Sequence, residues 1–293
     1  MKKILGSILT LGTMGIVVFA VSQAFFSDTE TSAGNALVAG ALDLKIDNTC
    51  YYNGLACLPV LGPDDQELGY STWSQANPRN VGDPDGERCS CTWQAKDLEE
   101  GDLFFDLHDL KPGDWEEDTI SFDVENPSWI CVDFDLTSHI DNTCTEPEQE
   151  DEAGACSEPS GQGDLAQVLN FVFWIDDGDN VFEKSERLKT IANGNASQVF
   201  GGTKKTPIAD SGTTDGPIGP ETSYVGKFFC LGNLTRTPVD DGEGSPLERG
   251  TGFTCDGSVV DNKPQTDLLT VDMTFEAVQA RHNEEFLCNP PVL

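Results

Sequence analysis

Positive charge is scarce in this 293-residue sequence: 17 Lys and Arg stand against 51 Asp and Glu, a formal net charge of −34 at pH 7. A chain without a basic face is a poor partner for duplex DNA, for RNA and for anionic membranes, so nucleic-acid binding is excluded as a function class. Such a surface repels copies of itself in dilute salt, and screening ions or bound cations relieve that repulsion. Histidine is scarcer still, with only His108, His139 and His282. No His-Glu-x-x-His segment occurs, which removes the usual helical zinc-protease arrangement. A Gly-x-Ser-x-Gly elbow and a phosphate-cradling glycine loop are missing too, and Ser, Asp and His nowhere take the spacing of a triad. Long apolar runs are lacking beyond the first 26 residues.

The one long apolar run follows Met1-Lys2-Lys3, extends from Ile4 to Phe26 and stops at Asp28. A short basic start before an apolar core is the pattern of an export signal. Ser22-Gln23-Ala24 places small residues three and one positions before a cut between Ala24 and Phe25, as a signal peptidase requires. Residues 1–24 are therefore expected to be a signal peptide and 25–293 a single secreted domain, on the cell surface or beyond it. The alternative is an uncut anchor, since about 20 apolar residues can span a bilayer. Membrane contact is expected only through that segment.

All ten cysteines lie beyond the leader, and an even count in an exported chain points to disulfides. Closeness in sequence favours Cys50 with Cys57 and Cys144 with Cys156, although spacing alone does not decide the pairing. Cys89-Ser90-Cys91 has too short a spacing for a zinc knuckle.

Apolar residues alternate with polar ones at Leu42, Leu44 and Ile46, at Ile120, Phe122 and Val124, and at Ile130, Val132, Phe134 and Leu136. The same period recurs at Leu169, Phe171, Phe173 and Ile175 and at Leu269, Val271, Met273 and Phe275. Period-2 alternation marks strands with one buried face, and a sandwich of antiparallel strands buries such faces. Leu110-Lys111-Pro112-Gly113-Asp114 reads as a turn, proline fixing one φ and glycine accepting a positive one. Segments 51–100, 141–164, 201–224 and 236–250 are polar and rich in turn formers, and are expected to be long, disulfide-bearing insertions.

The best site candidate is Asp176-Asp177-Gly178-Asp179-Asn180-Val181-Phe182-Glu183, with Glu186 a turn further on. Closely spaced carboxylates around a glycine can fold oxygens about calcium, which takes six to eight hard ligands. The spacing departs from the twelve-residue helix-loop-helix calcium signature. Asp176, Asp177, Asp179, Glu183 and Glu186 are thus candidate ligands of a structural calcium ion, the alternative being a solvated acidic loop. Asn195 and Asn233 open Asn-x-Ser/Thr acceptor patterns for N-glycosylation.

Ala24-Phe25-Phe26-Ser27-Asp28-Thr29-Glu30-Thr31, Gly34-Asn35 and Ala39-Gly40-Ala41-Leu42-Asp43-Leu44 resemble the amino end of the TasA/camelysin-like secreted proteins. Leu110 to Asp114 and the corner Glu125-Asn126-Pro127-Ser128 are similar to the next block of that family. The resemblance implies export through a dedicated signal peptidase and a jelly-roll β-sandwich. It also implies a structural role in an extracellular filament, biofilm matrix or surface layer, with self-association or related surface proteins as partners. There the new amino end completes a neighbour's sheet, and Phe25 and Phe26 are the matching apolar residues here. Large apolar side chains at a chain end must be buried somewhere, in a neighbouring copy or in their own. Some relatives carry a metallopeptidase label, so a metal-dependent peptidase is one alternative and a monomeric surface-displayed binding module another. No catalytic residue is assigned.

Overall fold

A computed structural model describes residues 27–32, 43–151 and 162–291. Its strands are β1 (Ser27–Ser32), β2 (Leu44–Tyr52), β3 (Leu55–Leu61), β4 (Glu67–Ser74), β5 (Arg88–Cys89), β6 (Trp93–Lys96), β7 (Trp115–Val124) and β8 (Ser128–Ile140). There follow β9 (Leu169–Asp176), β10 (Thr190–Asn195), β11 (Thr206–Ala209), β12 (Ser223–Leu231), β13 (Asn233–Arg236), β14 (Phe253–Asp256) and β15 (Leu268–Gln279). Among the described residues four short α-helices intervene: α1 (Glu146–Asp151), α2 (Leu165–Val168), α3 (Ala196–Val199) and α4 (Pro246–Arg249). The smaller sheet runs β1-β15-β8-β11 and the larger β10-β9-β12-β7-β2-β3-β4-β5, with β6 also on β2. The strand pairs in both are antiparallel. The chain is an all-β, two-sheet sandwich.

The alternating residues build its core. Leu44, Ile46, Ile120, Phe122, Phe171, Phe173 and Phe229 of the larger sheet join Ile130, Val132, Phe134, Met273 and Phe275 of the smaller in one apolar cluster. Rings bridge the layers: the centroids of Phe122 and Phe275 lie 5.3 Å apart, and those of Phe134 and Phe173 lie 4.7 Å apart. Each such contact adds to the burial of the rings themselves. The turn at 110–114 forms as read, with Gly113 at φ 96° and the Asp114 amide donating to the Lys111 carbonyl at 2.9 Å. The Asn126–Pro127 corner then carries the chain from β7 in one sheet to β8 in the other.

Strands β7, β9 and β12 exceed a one-faced pattern. On the reverse of β9, Val172 and Trp174 pack with Phe182, Phe228, Cys230 and Phe253 in a second cluster. The antiparallel pair β13–β14 supplies Phe253 to that cluster and is tied to β12 by the Cys230–Cys255 disulfide. Gly226 of β12 makes room on this face, because a Cβ there would come within 2.1 Å of the Trp174 indole. Burial on both faces of β7 follows, including the consecutive acids Glu116, Glu117 and Asp118.

Segment 51–100 differs from the expected insertion: β3, β4 and β5 extend the larger sheet outward from β2, and β6 returns to pair with β2. Its cysteines correct the expected Cys50–Cys57 link, for Cys50 bonds Cys91 and Cys57 bonds Cys89. Cys50 and Cys57 flank the same β2–β3 hairpin, where Tyr51 faces Ala56. Residues two apart in an extended chain point the same way, so Cys89 and Cys91 present both sulfurs to that hairpin together. Cys144 is disulfide-bonded, and its expected partner Cys156 lies outside the described residues. A fourth bridge, Cys131–Cys288, spans 157 residues and fastens the end of the chain to β8.

The closed loop makes this last bridge a stability element. Replacing Cys131 and Cys288 together by Ala is expected to lower the unfolding free energy by about 2–5 kcal/mol, measured by denaturant titration. Peptide mapping without reduction should recover Cys50 with Cys91 and Cys57 with Cys89.

Candidate functional site

The acidic loop begins where β9 ends. Asp176 accepts the backbone N–H of Gly178 at 3.0 Å and of Asn180 at 3.2 Å through Oδ2, and the Trp174 indole N–H at 3.2 Å through Oδ1. An aspartate that bonds the backbone two residues on closes a tight turn, which Gly178 at φ 110° and Asn180 at φ 62° complete. The loop then buries Val181 and Phe182, and Phe182 enters the second apolar cluster. Glu186 closes a short 3-10 turn over Lys184–Glu186, accepting the Glu183 N–H at 3.1 Å through Oε2.

The five candidate ligands divide into two groups. One carboxylate oxygen from each of Asp176, Asp177 and Glu186 lies within 4.8 Å of the others. Asp179 and Glu183 instead accept hydrogen bonds from the Arg249 guanidinium, presented by α4. Glu183 also accepts the Gly242 N–H at 2.8 Å. The segment 236–250 is thus the clamp that holds the loop's outer side.

Burial pushes Asp176 up to about 7, and the charges of Asp179 and Asp177 add to the shift against the two backbone N–H bonds that oppose it. Glu186 rises to about 8 through burial and then through Asp176. Asp179 rises to about 6, again through burial first and Asp177 second. The loop is short of positive charge.

Two residues that sequence spacing did not single out complete the surroundings. Glu117, at the centre of the larger sheet, is 0 % exposed and neither carboxylate oxygen has a hydrogen-bond partner. Its cross-strand neighbours are Tyr51 and Phe228, which places it on the face that bears the second apolar cluster. Burial holds it well above the usual carboxylate range, with Asp118, Asp176 and Asp179 adding to the effect. Asn180 is 2 % exposed, and both its amide oxygen and amide nitrogen lack partners. A run reading Trp-Glu-Glu-Asp gives no hint of burial. Only its position after a tight turn and before Ile120 could have placed it in a strand.

The opposite face of β7 holds a charged group of another kind. Lys227 of β12 is fully buried and donates to Glu116 at 3.0 Å and to the Phe104 carbonyl at 3.1 Å, with Asp118 Oδ2 at 2.7 Å. Asn48 of β2 donates to Asp118 at 3.3 Å and to the Cys91 carbonyl at 2.6 Å. Burial raises Glu116 to about 8 and Asp118 to about 6, in both cases against the pull of Lys227.

Ala24, Phe25 and Phe26 lie outside the described residues. Asn233 is exposed at the start of β13. Asn195 caps α3 instead, accepting the Gln198 N–H at 3.0 Å and donating to the Gln167 carbonyl at 3.2 Å. Among the described residues, none of the three histidines belongs to a group of side chains placed to share a metal ion. No helix among them is long and apolar enough to cross a membrane. No protein family and no characterised protein matches the sequence.

Removing one member of the Lys227 group should be costly. Lys227→Met leaves Asp118 buried without its counter-charge and is expected to destabilise by about 3–5 kcal/mol. Glu116 binds more protons folded than unfolded between its ordinary value of 4.5 and about 8. Its stabilising contribution is therefore complete below the lower value and lost as pH rises through the upper. In denaturant titrations with chelator present, Glu116→Gln should lessen the fall in stability from pH 5 to pH 8.

Proposed function

We propose that the chain is an exported structural subunit of an extracellular filament, biofilm matrix or cell-surface layer, assembled by passing its amino-terminal strand to a neighbouring copy. The observation that carries this reading is the place of β1: it is the outermost strand of the smaller sheet, paired over six residues with β15. That strand reads Ser-Asp-Thr-Glu-Thr-Ser, without a large apolar residue, and it pairs with β15 in antiparallel register. Main-chain bonds of this kind form equally well with the β15 of another molecule, and side-chain pockets then set the register. Phe25 and Phe26, just ahead of β1, would supply apolar anchors in such an exchange.

The disulfide-bonded β fold suits an oxidising compartment outside the cytosol. The acidity suits assembly in salt, where a Debye length of about 8–10 Å mutes repulsion between subunits. The resemblance of the amino end to the TasA/camelysin-like proteins favours the same role. A peptidase would need an assembled set of nucleophile, base or metal-bound water. The dispersed His108, His139 and His282 do not favour it.

Mature protein starting at Phe25, and the same protein lacking residues 25–34, should be compared by electron microscopy in salt with calcium. Filaments formed by the first and lost in the second are the expected result. Monomers in both, with no casein cleavage, would instead assign a binding module. Cleavage abolished by a chelator would assign a peptidase.

A further inference from the structure

We infer that Asp176, Asp177, Glu186 and Asn180 form a binding site for a hard divalent cation of the size of calcium, set against Glu117 on the outer face of the larger sheet. The three carboxylates meet a geometric requirement of that ion. Two oxygens bound to one calcium at about 2.4 Å can be no further apart than about 4.8 Å, and the oxygens of Asp176, Asp177 and Glu186 all lie within 4.8 Å of one another.

Proximity of acids is not the whole case. Glu186 is 1 % exposed, and while its Oε2 accepts a backbone N–H, its Oε1 has no hydrogen-bond partner. In the same loop, the Asn180 amide is buried with neither atom partnered. Buried carboxylate and amide oxygens left unpaired carry a large desolvation penalty. A cation that accepts six to eight oxygen ligands removes it for several groups at once. Glu117 brings two more unpartnered oxygens from β7, either as a ligand or as the wall behind one. Asp177 is solvent-exposed, which gives the ion a path in and leaves room for water in its shell.

The loop is held ready without the ion. Asp176 is oriented by three hydrogen bonds, and Asp179 and Glu183 are engaged by Arg249. These two acids are therefore assigned to positioning rather than to ligation. A second acidic group, Asp141, Glu148 and Asp267, shows comparable spacing and serves as the internal control.

The test uses the exported protein stripped with a chelator. Terbium luminescence excited through Trp174, which bonds Asp176 at 3.2 Å, reports occupancy, and calorimetry with calcium chloride reports affinity. Saturable terbium emission displaced by calcium is expected. Asp177→Asn, at an exposed position that leaves the core intact, and Glu186→Gln should each weaken calcium binding at least about tenfold. Asp267→Asn should leave it unchanged. No saturable binding up to about 10 mM calcium would overturn the assignment. So would an affinity unaltered in both Asp177→Asn and Glu186→Gln, or one lost in Asp267→Asn.

Discussion

The structure depends on the charge buried at Lys227. Its ammonium group joins β12 to Glu116 and Asp118 of β7, Asp118 reaches Asn48 of β2, and Asn48 in turn holds the Cys91 carbonyl. Three central strands and the returning arm of the 51–100 segment are thereby fixed by one group. Apolar burial already opposes a shift of register, and this arrangement adds a penalty in charge. A slip of one residue between β12 and β7 would turn Lys227 to the other face and leave two buried acids without their cation. The ring of Phe105, 4.4 Å from the ammonium, adds a further directional contact. Specificity of strand pairing is what such a group contributes, more than net stability.

Because β7 is pinned from its inner face, its outer face can carry Glu117 beneath the acidic loop. The two faces of one strand thus divide the work: Glu116 and Asp118 hold a lysine inside the sandwich, and Glu117, one residue between them, looks outward. Gly226 and Trp174 continue the connection, since the indole occupies the space that a side chain at 226 would fill and donates to Asp176. The position of the loop is therefore set from the sheet below as much as from Arg249 above.

Much of this architecture was legible in the sequence, and the reason is period-2 alternation. It found β2, β8, β9 and β15 at Leu44, Ile130, Phe171 and Met273, whose faces are those buried between the sheets. The acids of the 176–186 loop stood out because carboxylates around a glycine are unusual even in an acidic chain. Alternation also locates Ile120, Phe122 and Val124 of β7, but it does not tell that the other face of that strand is covered as well. There Glu117 reads as a solvated residue, although it lies fully buried on the face that bears Phe228 of the second apolar cluster. Lys227 in the run Val-Gly-Lys-Phe-Phe was a signal of burial that needed its two acids to interpret. The cysteine pairing was illegible for a similar reason. Cys50 and Cys57 do come together, but the chain that bonds them returns from more than thirty residues away.

The place of β15 bears on the order in which an exported chain can finish folding. The smaller sheet takes its second strand from the last strand of the sequence, and the Cys131–Cys288 bridge closes across 157 residues. A chain that emerges from a membrane amino end first presents β1 long before β15. Throughout that interval β1 has no strand of its own molecule to pair with. In the proposed assembly, a neighbouring copy whose own β1 has not yet paired would present an open β15 edge, and the timing of emergence would then decide whose β15 receives the strand.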